Sequence, residues 1–573
     1  MRHIARGLLL VLVLLLAFYL RIDDLGDWPV RMDEAFSVWA AQMDFLKGTE
    51  FIASDVHPPI YFWLLHLWLR LTGSSEFSIR MLSVLPSLIA VPVVYIITLR
   101  LSSRRLAALL AMLLVTTSPY LIYWSQDARM YPLATMFASL AIYAHLRNRT
   151  ILFAFAGIGT ALTHYFGAIV VGILVLHEIL SPRHKGAKRR HWYVAIALIL
   201  LVCTLWGTYA IGLIRKDPSF ATFDPQAAFL MMAGAFSVNS STHLGAYNLH
   251  VALVTAIFFV GLVFSWRDNP RATYFIVLGC LLPPTVISLL GLPFVPIHVN
   301  ALQARYFNLF APFVFAGFGI GLTAPLGGRW LCLVGMIAGI GLTMFYGSLT
   351  LERADARYFK DDYLSMMMAV AAFTSADDRV YFISGGRRPL VYYHLDQAGY
   401  DVPKNVYAEP VNVTGIPRSN ESDVSAMMNW IFAGIDRFWL IEIEAHLDQP
   451  LDAPLNWIKD NYHRIYHIPV AWNGISFFSN DENDTIPTID AIIPPVITEA
   501  RPGDLVRIGV PAGATVELFH SGQTIDSHVA ETWMLHQFDI YPFYFNGYYE
   551  LRVADQHYPF VITHSQDFPG GST

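Results

Sequence analysis

Residues 106–146 read LAALLAMLLVTTSPYLIYWSQDARMYPLATMFASLAIYAHL. Two apolar runs meet at the short polar turn Ser125-Gln126-Asp127-Ala128-Arg129-Met130-Tyr131, which carries opposite charges. A membrane-spanning helix needs about 20 mostly apolar residues, and charge near such spans is costly unless paired or used. The stretch therefore predicts two spans joined by a turn at the membrane face. The same pattern recurs along the chain. Candidate spans are 4–20, 78–99, 106–124, 131–146, 151–164, 166–180, 191–213, 250–265, 272–291, 306–325 and 330–349, about eleven in all. Of 573 residues, 55% are hydrophobic and 14% charged, with a mean hydropathy of +0.45. Soluble domains carry about a quarter charged residues. The expected class is a polytopic α-helical membrane protein with some soluble mass.

The net charge of -6 gives no case for a nucleic-acid partner. Cys203, Cys280 and Cys332 all lie in apolar runs and read as packing residues, without zinc or disulfide spacing. The N-terminus MRHIARGLLLVLVLLLAFYLRIDD lacks a small-x-small cleavage site after Leu20, so it reads as an uncleaved first span. Loops 102–105, 147–149, 183–190 and 266–271, with Arg329, are short and basic and read as cytoplasmic. By alternation, 21–77, 125–131, 163–166, 214–249, 292–305 and everything after 350 face outward. Residues 59–72 are apolar but short, and read as an interfacial helix with Trp63 and Trp68 near the headgroups.

Beyond 350 the composition turns soluble. RVYFIS (379–384) and FWLIEI (438–443) read as strands, with helices near 361–374 and 451–462. These give an α/β domain over 351–482. The linker NDENDTIPTIDAIIPP leads to LVRIGV, TVELFH, YYELRV and YPFVIT, which predict a small β-sandwich within 483–573.

The polar residues of interest fall on the outward set. Asp33-Glu34 opens an amphipathic stretch, where acids complement a helix dipole for about 0.3–1 kcal/mol. Adjacent helical residues point about 100° apart, so only one of the pair can aim into a given site. Asp55-Val56-His57-Pro58-Pro59 offers a carboxylate and an imidazole held by two prolines; its plain structural reading is a helix cap. Asp127 and Arg129 could simply pair with each other. His164 and Tyr165 sit in a second turn, and Arg305 precedes an apolar helix, where an interface anchor is the bland reading. Together they would supply acids as bases and cations as anion holders, as transfer from a lipid phosphate requires.

The segments DEAFSVWAA, HPPIYFWLLHLWLRLTGSSEFSIRMLSVL, YWSQDARMYPLATM, THYFG and QARYFNLFAPFVFAG, in this order, resemble the bacterial members of the protein-O-mannosyltransferase superfamily. These are membrane glycosyltransferases of the GT-C fold, akin to the lipid A aminoarabinose transferases. The resemblance covers roughly 1–350, with 21–77 as the first outer loop, and says nothing about the terminal sandwich. It implies inverting transfer of a mannose-like hexose or similar sugar from a polyprenyl-phosphate carrier. The acceptor would be a hydroxyl of a glycan, lipid or protein on the outer face of the plasma (inner) membrane. Asp33 maps to the family's presumed base, with Glu34 beside it. His57, Arg129 and Arg305 are the implied phosphate holders, supported by Asp55, Asp127, Tyr131, His164 and Tyr165. Relatives often carry Glu where this chain has Asp127, and the aminoarabinose transferases carry a lysine where it has His57. No cofactor is required; a divalent metal is possible but the spacing does not demand one. The rival classes are a flippase for lipid-linked glycans, which commonly shows internal repeats, and a non-catalytic scaffold that would not need Asp33.

Overall fold

The computed structural model describes the chain except residues 1, 24, 27–28, 56, 183–186, 214–223, 239–247, 291–302, 325–362, 375–377, 384–386, 400–412, 417–423, 444–451, 471–472, 487–490, 497–498, 501–504, 541–546 and 563–573. The expected span 330–349 and Cys332 lie outside the described residues. The chain divides into two compact units, Met1–Gly26 with Ala40–Arg353, and Asp27–Trp39 with Ala354–Thr573.

The first unit is helical. Its helices are α1 (Arg2–Ile22), α2 (Met32–Gln42, entering from the other unit), α3 (Phe45–Ser54), α4 (Ile60–Thr72), α5 (Glu76–Ser102), α6 (Arg105–Thr117), α7 (Pro119–Ser125), α8 (Tyr131–Arg147), α9 (Thr150–Ala161), α10 (Gly167–Leu180), α11 (Ala187–Ile211), α12 (Pro225–Val238), α13 (Asn248–Asp268), α14 (Pro270–Leu289) and α15 (Ala311–Leu322), the last preceded by a 3-10 turn, Ala304–Phe310. Local chemistry sets these limits. Ser75 caps α5 by accepting from the Ser78 N–H, and Ser103 ends it in the left-handed region at φ 58°. Asn148 ends α8 in the same way at φ 54°.

Among the described residues five helices are long and apolar enough to cross a membrane: Glu76–Ser102, Arg189–Ile211, Leu249–Asp268, Pro270–Leu289 and Ala304–Leu322. A sixth follows if α6 and α7 form one span bent by 53°. The protein is a mostly helical membrane protein. The sequence reading ran 106–124 straight; the structure breaks it at Ser118-Pro119. Proline lacks the N–H that would bond the Val115 carbonyl, and Ser118 caps the new helix by accepting from the Leu121 N–H. The break is filled from α1. Arg21, 1% exposed, donates from Nη2 to the Val115 carbonyl (3.0 Å) and from Nη1 to the carbonyls of Thr116 and Ala17 (3.1 Å each).

Two expected spans come out short. α9 has 12 residues and α10 has 14, or about 18–21 Å of helix against a core of about 30 Å. Residues 60–72 do form a 13-residue helix, as expected, burying Tyr61, Phe62, Leu65 and His66. The stretch 214–249, read as a loop, contains α12. Where α13 crosses α15, a Cβ on Gly261 would stand 2.8 Å from the Gly321 Cα, so the backbones touch because both residues lack side chains.

The second unit holds two sheets and a smaller ribbon. The first sheet has the order β2-β1-β3-β5-β4. Its strands are β1 (Val380–Ile383), β2 (Val413–Ile416), β3 (Arg437–Glu442), β4 (His463–Val470) and β5 (Asn473–Ser479). β1 runs parallel to β2 and β3, while β5 is antiparallel to both β3 and β4. Helices Val424–Ile431 and Asp452–Asn461 close one core around Tyr381, Phe432, Phe438 and Phe478. The terminal part pairs β7 (Leu505–Val510) with β10 (Met534–Asp539). It also forms a five-stranded sheet β6-β12-β11-β8-β9, from β6 (Glu499–Ala500), β8 (Thr515–His520), β9 (Gln523–Val529), β11 (Gly547–Val553) and β12 (Gln556–Ile562). Val506, Ile508, Val516, Leu518, Tyr549 and Leu551 fill the space between. The two parts are joined by Trp533, whose ring meets Phe373 at 4.6 Å and whose carbonyl accepts from the Tyr466 hydroxyl. The linker is not wholly open either, since Ile493 is buried and bridges Gly509.

Residues 27–39 belong to this second unit rather than to the loop 21–77 as a block. One reason is a buried imidazole: His394 Nε2 bonds the Val30 carbonyl at 2.9 Å.

Candidate active site

In the helical unit, four turns and helix ends bring predicted residues together. The segment after α3 is fixed by the His57 N–H bonding the Ile52 carbonyl, and by the Ile60 N–H bonding the Leu162 carbonyl at the end of α9. Pro58 and Pro59 stiffen the backbone between those two bonds. His57 thus lies near the turn that carries His164. Its Nδ1 is 2.8 Å from the Asp55 carbonyl and 3.1 Å from the Asp55 carboxylate. Its Nε2 is 3.0 Å from Arg129 Nη2.

Arg129 and Asp127 are both buried, at 3% and 2% exposure. Their turn is closed by the Arg129 N–H donating to the Asp127 carbonyl (2.7 Å) and tied to α5 by Ser83 Oγ donating to the Arg129 carbonyl. Arg305 arrives on the 3-10 turn. That turn is anchored by the Tyr120 hydroxyl donating to the Ala304 carbonyl (2.6 Å) and Thr135 Oγ1 donating to Asn308 Oδ1 (3.1 Å). The Arg305 guanidinium carbon stands 5.9 Å from the Tyr131 ring centre and 6.0 Å from that of Tyr306, within cation–π reach.

His164 ties the cluster together. Its ring lies 5.7 Å from Tyr131, 5.8 Å from Tyr306 and 5.2 Å from Phe166. The Phe166 N–H donates to its Nδ1, so the ring proton is on Nε2. Burial, and then the nearby guanidiniums of Arg129 and Arg305, pull the imidazole down to about 3, so it is neutral in the fold. His57, Arg129, Tyr131, His164 and Arg305 therefore converge, with Asp127 in the same buried turn and Asp55 behind His57. Tyr165 turns elsewhere, accepting from Trp206 on α11. Tyr306 and Phe166 were not singled out as site residues. Their signal was adjacency: each follows or precedes a polar site residue in an aromatic-rich turn.

In the second unit, Asp33 and Glu34 occupy the first turn of α2. Glu34 is fully buried, and its Oε2 accepts from the Arg31 N–H (3.1 Å) and lies 3.9 Å from Arg31 Nε. That is the back-bond of a capping box. Asp33 is half-buried, and its carbonyl accepts from Ser37 Oγ. Among the described residues no group of three His, Cys, Asp or Glu side chains could hold a metal ion.

The arrangement is a partly buried cluster of two guanidiniums, two imidazoles and three aromatic rings. Residues 56–207 match the family model described as dolichyl-phosphate-mannose-protein mannosyltransferase. No curated protein matches the sequence. Among solved structures, ArnT from Cupriavidus metallidurans in the apo state superposes with a TM-score of 0.56 at 12% identity, covering 84% of this chain and 99% of its own. The same protein bound to undecaprenyl phosphate gives 0.51 at 13%, covering 83% and 98%. The oligosaccharyltransferase of Archaeoglobus fulgidus in the apo form gives 0.50 at 11%, covering 97% and 98%.

Proposed function

With the fold of the GT-C membrane glycosyltransferases as its premise, we propose that this protein transfers a sugar, a mannose-like hexose or similar, from a polyprenyl-phosphate carrier to an acceptor hydroxyl. The reaction runs on the outer face of the plasma membrane and inverts the anomeric centre. The observation that carries this reading is the convergence of Arg129 and Arg305 around the aromatic turn of Tyr131, His164 and Tyr306.

The acceptor oxygen forms a bond to C1 of the sugar as the C1–O bond to the phosphate breaks. The bonding pair leaves on the phosphate, whose leaving oxygen needs no proton but gains negative charge. Arg129 and Arg305 stabilise that charge as it develops, and a preformed cationic site does so without reorganisation. Tyr131 and Tyr306 present ring faces for the sugar and for Arg305. The acceptor proton goes to a base on the opposite face of the sugar. Asp33 is assigned that role on the resemblance of the DEAFSVWAA segment to the family's acidic pair. The acceptor is a glycan, lipid or protein hydroxyl.

The test is transfer by purified protein in lipid vesicles, given a panel of polyprenyl-phosphate sugars with a membrane extract as acceptor. Wild type transfers, Asp33→Asn loses at least about 100-fold, and Glu34→Gln keeps most of the activity. Equal transfer by wild type and Asp33→Asn refutes the base assignment.

A further inference from the structure

The proton positions around His57 determine what it can do. A guanidinium has five N–H donors and no acceptor. Arg129 Nη2, 3.0 Å from His57 Nε2, can only donate, so Nε2 carries a lone pair. The other ring nitrogen agrees independently. Nδ1 faces two acceptors of Asp55, its carbonyl at 2.8 Å and its carboxylate at 3.1 Å, and must carry the proton. An imidazolium would set one N–H against another on the Arg129 side.

We infer that Asp55, His57 and Arg129 form a positioning relay, in which neutral His57 aims the Arg129 guanidinium and is not itself a phosphate-binding cation. This deepens the proposed function and rests on that reading for the ligand. Every constraint acts to hold the imidazole still. Its backbone N–H is bonded to Ile52, Pro58 follows it, and the Phe62 ring meets its ring edge-on at 5.6 Å. Arg129 is restrained from the main chain by Ser83 and Asp127. The relay adds a restraint at the guanidinium itself. His164 complements it as the opposite tautomer, a neutral Nε2–H donor fixed by Phe166. The phosphate charge is then met by two arginines, with the imidazoles setting geometry.

Two substitutions separate the relay from a direct phosphate contact. His57→Gln loses the ring but offers an amide oxygen that accepts from Arg129. His57→Lys keeps a cation at the site but can only donate, and so repels Arg129. In the ligand-free purified protein, His57→Lys lowers the melting temperature by several degrees, and adding Arg129→Gln restores most of the loss. With polyprenyl phosphate as the probe, His57→Gln binds within about threefold of wild type and His57→Lys binds at least tenfold more weakly. The inference is overturned if Arg129→Gln does not relieve the His57→Lys loss, or if His57→Lys binds polyprenyl phosphate as tightly as wild type. Failure of wild type itself to bind polyprenyl phosphate removes the proposed ligand, while the melting comparison still decides the relay.

Discussion

Arg21→Met should unsettle the helical unit out of proportion to a single side chain. Arg21 donates to three carbonyls, but the Ala17 carbonyl keeps its own helical partner, so two carbonyls at the α6–α7 break are at stake. Leaving a buried acceptor unsatisfied costs about 1–3 kcal/mol, so the pair gives about 2–6 kcal/mol. Removing a buried charge returns part of that, because its desolvation was unfavourable. The expected net is in the lower half, about 2–3 kcal/mol. For a chain of this size about 1–2 °C is lost per kcal/mol. The apparent melting temperature in detergent micelles should therefore fall by about 2–6 °C. The mechanism makes a sharper demand. Pro119→Ala restores the N–H that Val115 lacks, so Arg21→Met should cost less in that background than in wild type. A loss under about 1 °C in wild type, or an equal loss in both backgrounds, would refute the account of Arg21 as the donor for a proline-broken span.

Three further outcomes follow from the same structure. Gly167→Ala puts a Cβ 2.2 Å from the Thr160 carbonyl oxygen, so the turn holding His164 must shift. Stability should drop by about 1–3 kcal/mol and polyprenyl-phosphate affinity should fall, as read by thermal unfolding and equilibrium binding. His164 stays neutral in the fold down to about 3, whereas the unfolded chain takes up the proton near 6.5. The unfolded state thus binds more protons below 6.5, and stability falls as pH drops from 6.5 toward 3, by at most about 1.4 kcal/mol per unit. His164→Gln should show a smaller melting-temperature drop between pH 7 and pH 5 than wild type. Trp533→Ala deletes the ring against Phe373 and the indole donation to the Ala491 carbonyl. It should cost about 3–5 kcal/mol and open the 480–500 region to proteolysis, which a gel time course reads directly.

The terminal strands were legible because their period and turns are local. LVRIGV, TVELFH and YYELRV fall inside β7, β8 and β11, and YPFVI (558–562) inside β12, with Gly513 and Gly522 at positive φ in turns beside β8. The charged turn at 125–131 was legible because charge between apolar runs is costly. β9 was missed because all seven residues are exposed and QTIDSHV lacks an apolar face. α12, the 14-residue stretch PQAAFLMMAGAFSV, was missed inside the segment 214–249 that was read whole as an outer loop. The break at Ser118-Pro119 had a visible signal in the proline, but its partner Arg21 lies 94–95 positions away. The acidic pair was half legible: helical geometry said that only one acid can aim into a given site, and the Arg31 back-bond shows Glu34 acting as the cap.

The Val30–His394 hydrogen bond spans 364 positions, which has a consequence for biogenesis. At about 5–20 residues per second, a ribosome needs about 20–70 s to make that intervening chain. The segment bearing Asp33 leaves the ribosome well before its anchor at His394 is made. A chain truncated before residue 394 could insert its first helices and still lack the clamp on its acidic turn. Synthesis through residue 394 is thereby coupled to the ordering of that turn, and a chain terminated before it leaves the turn without this tether.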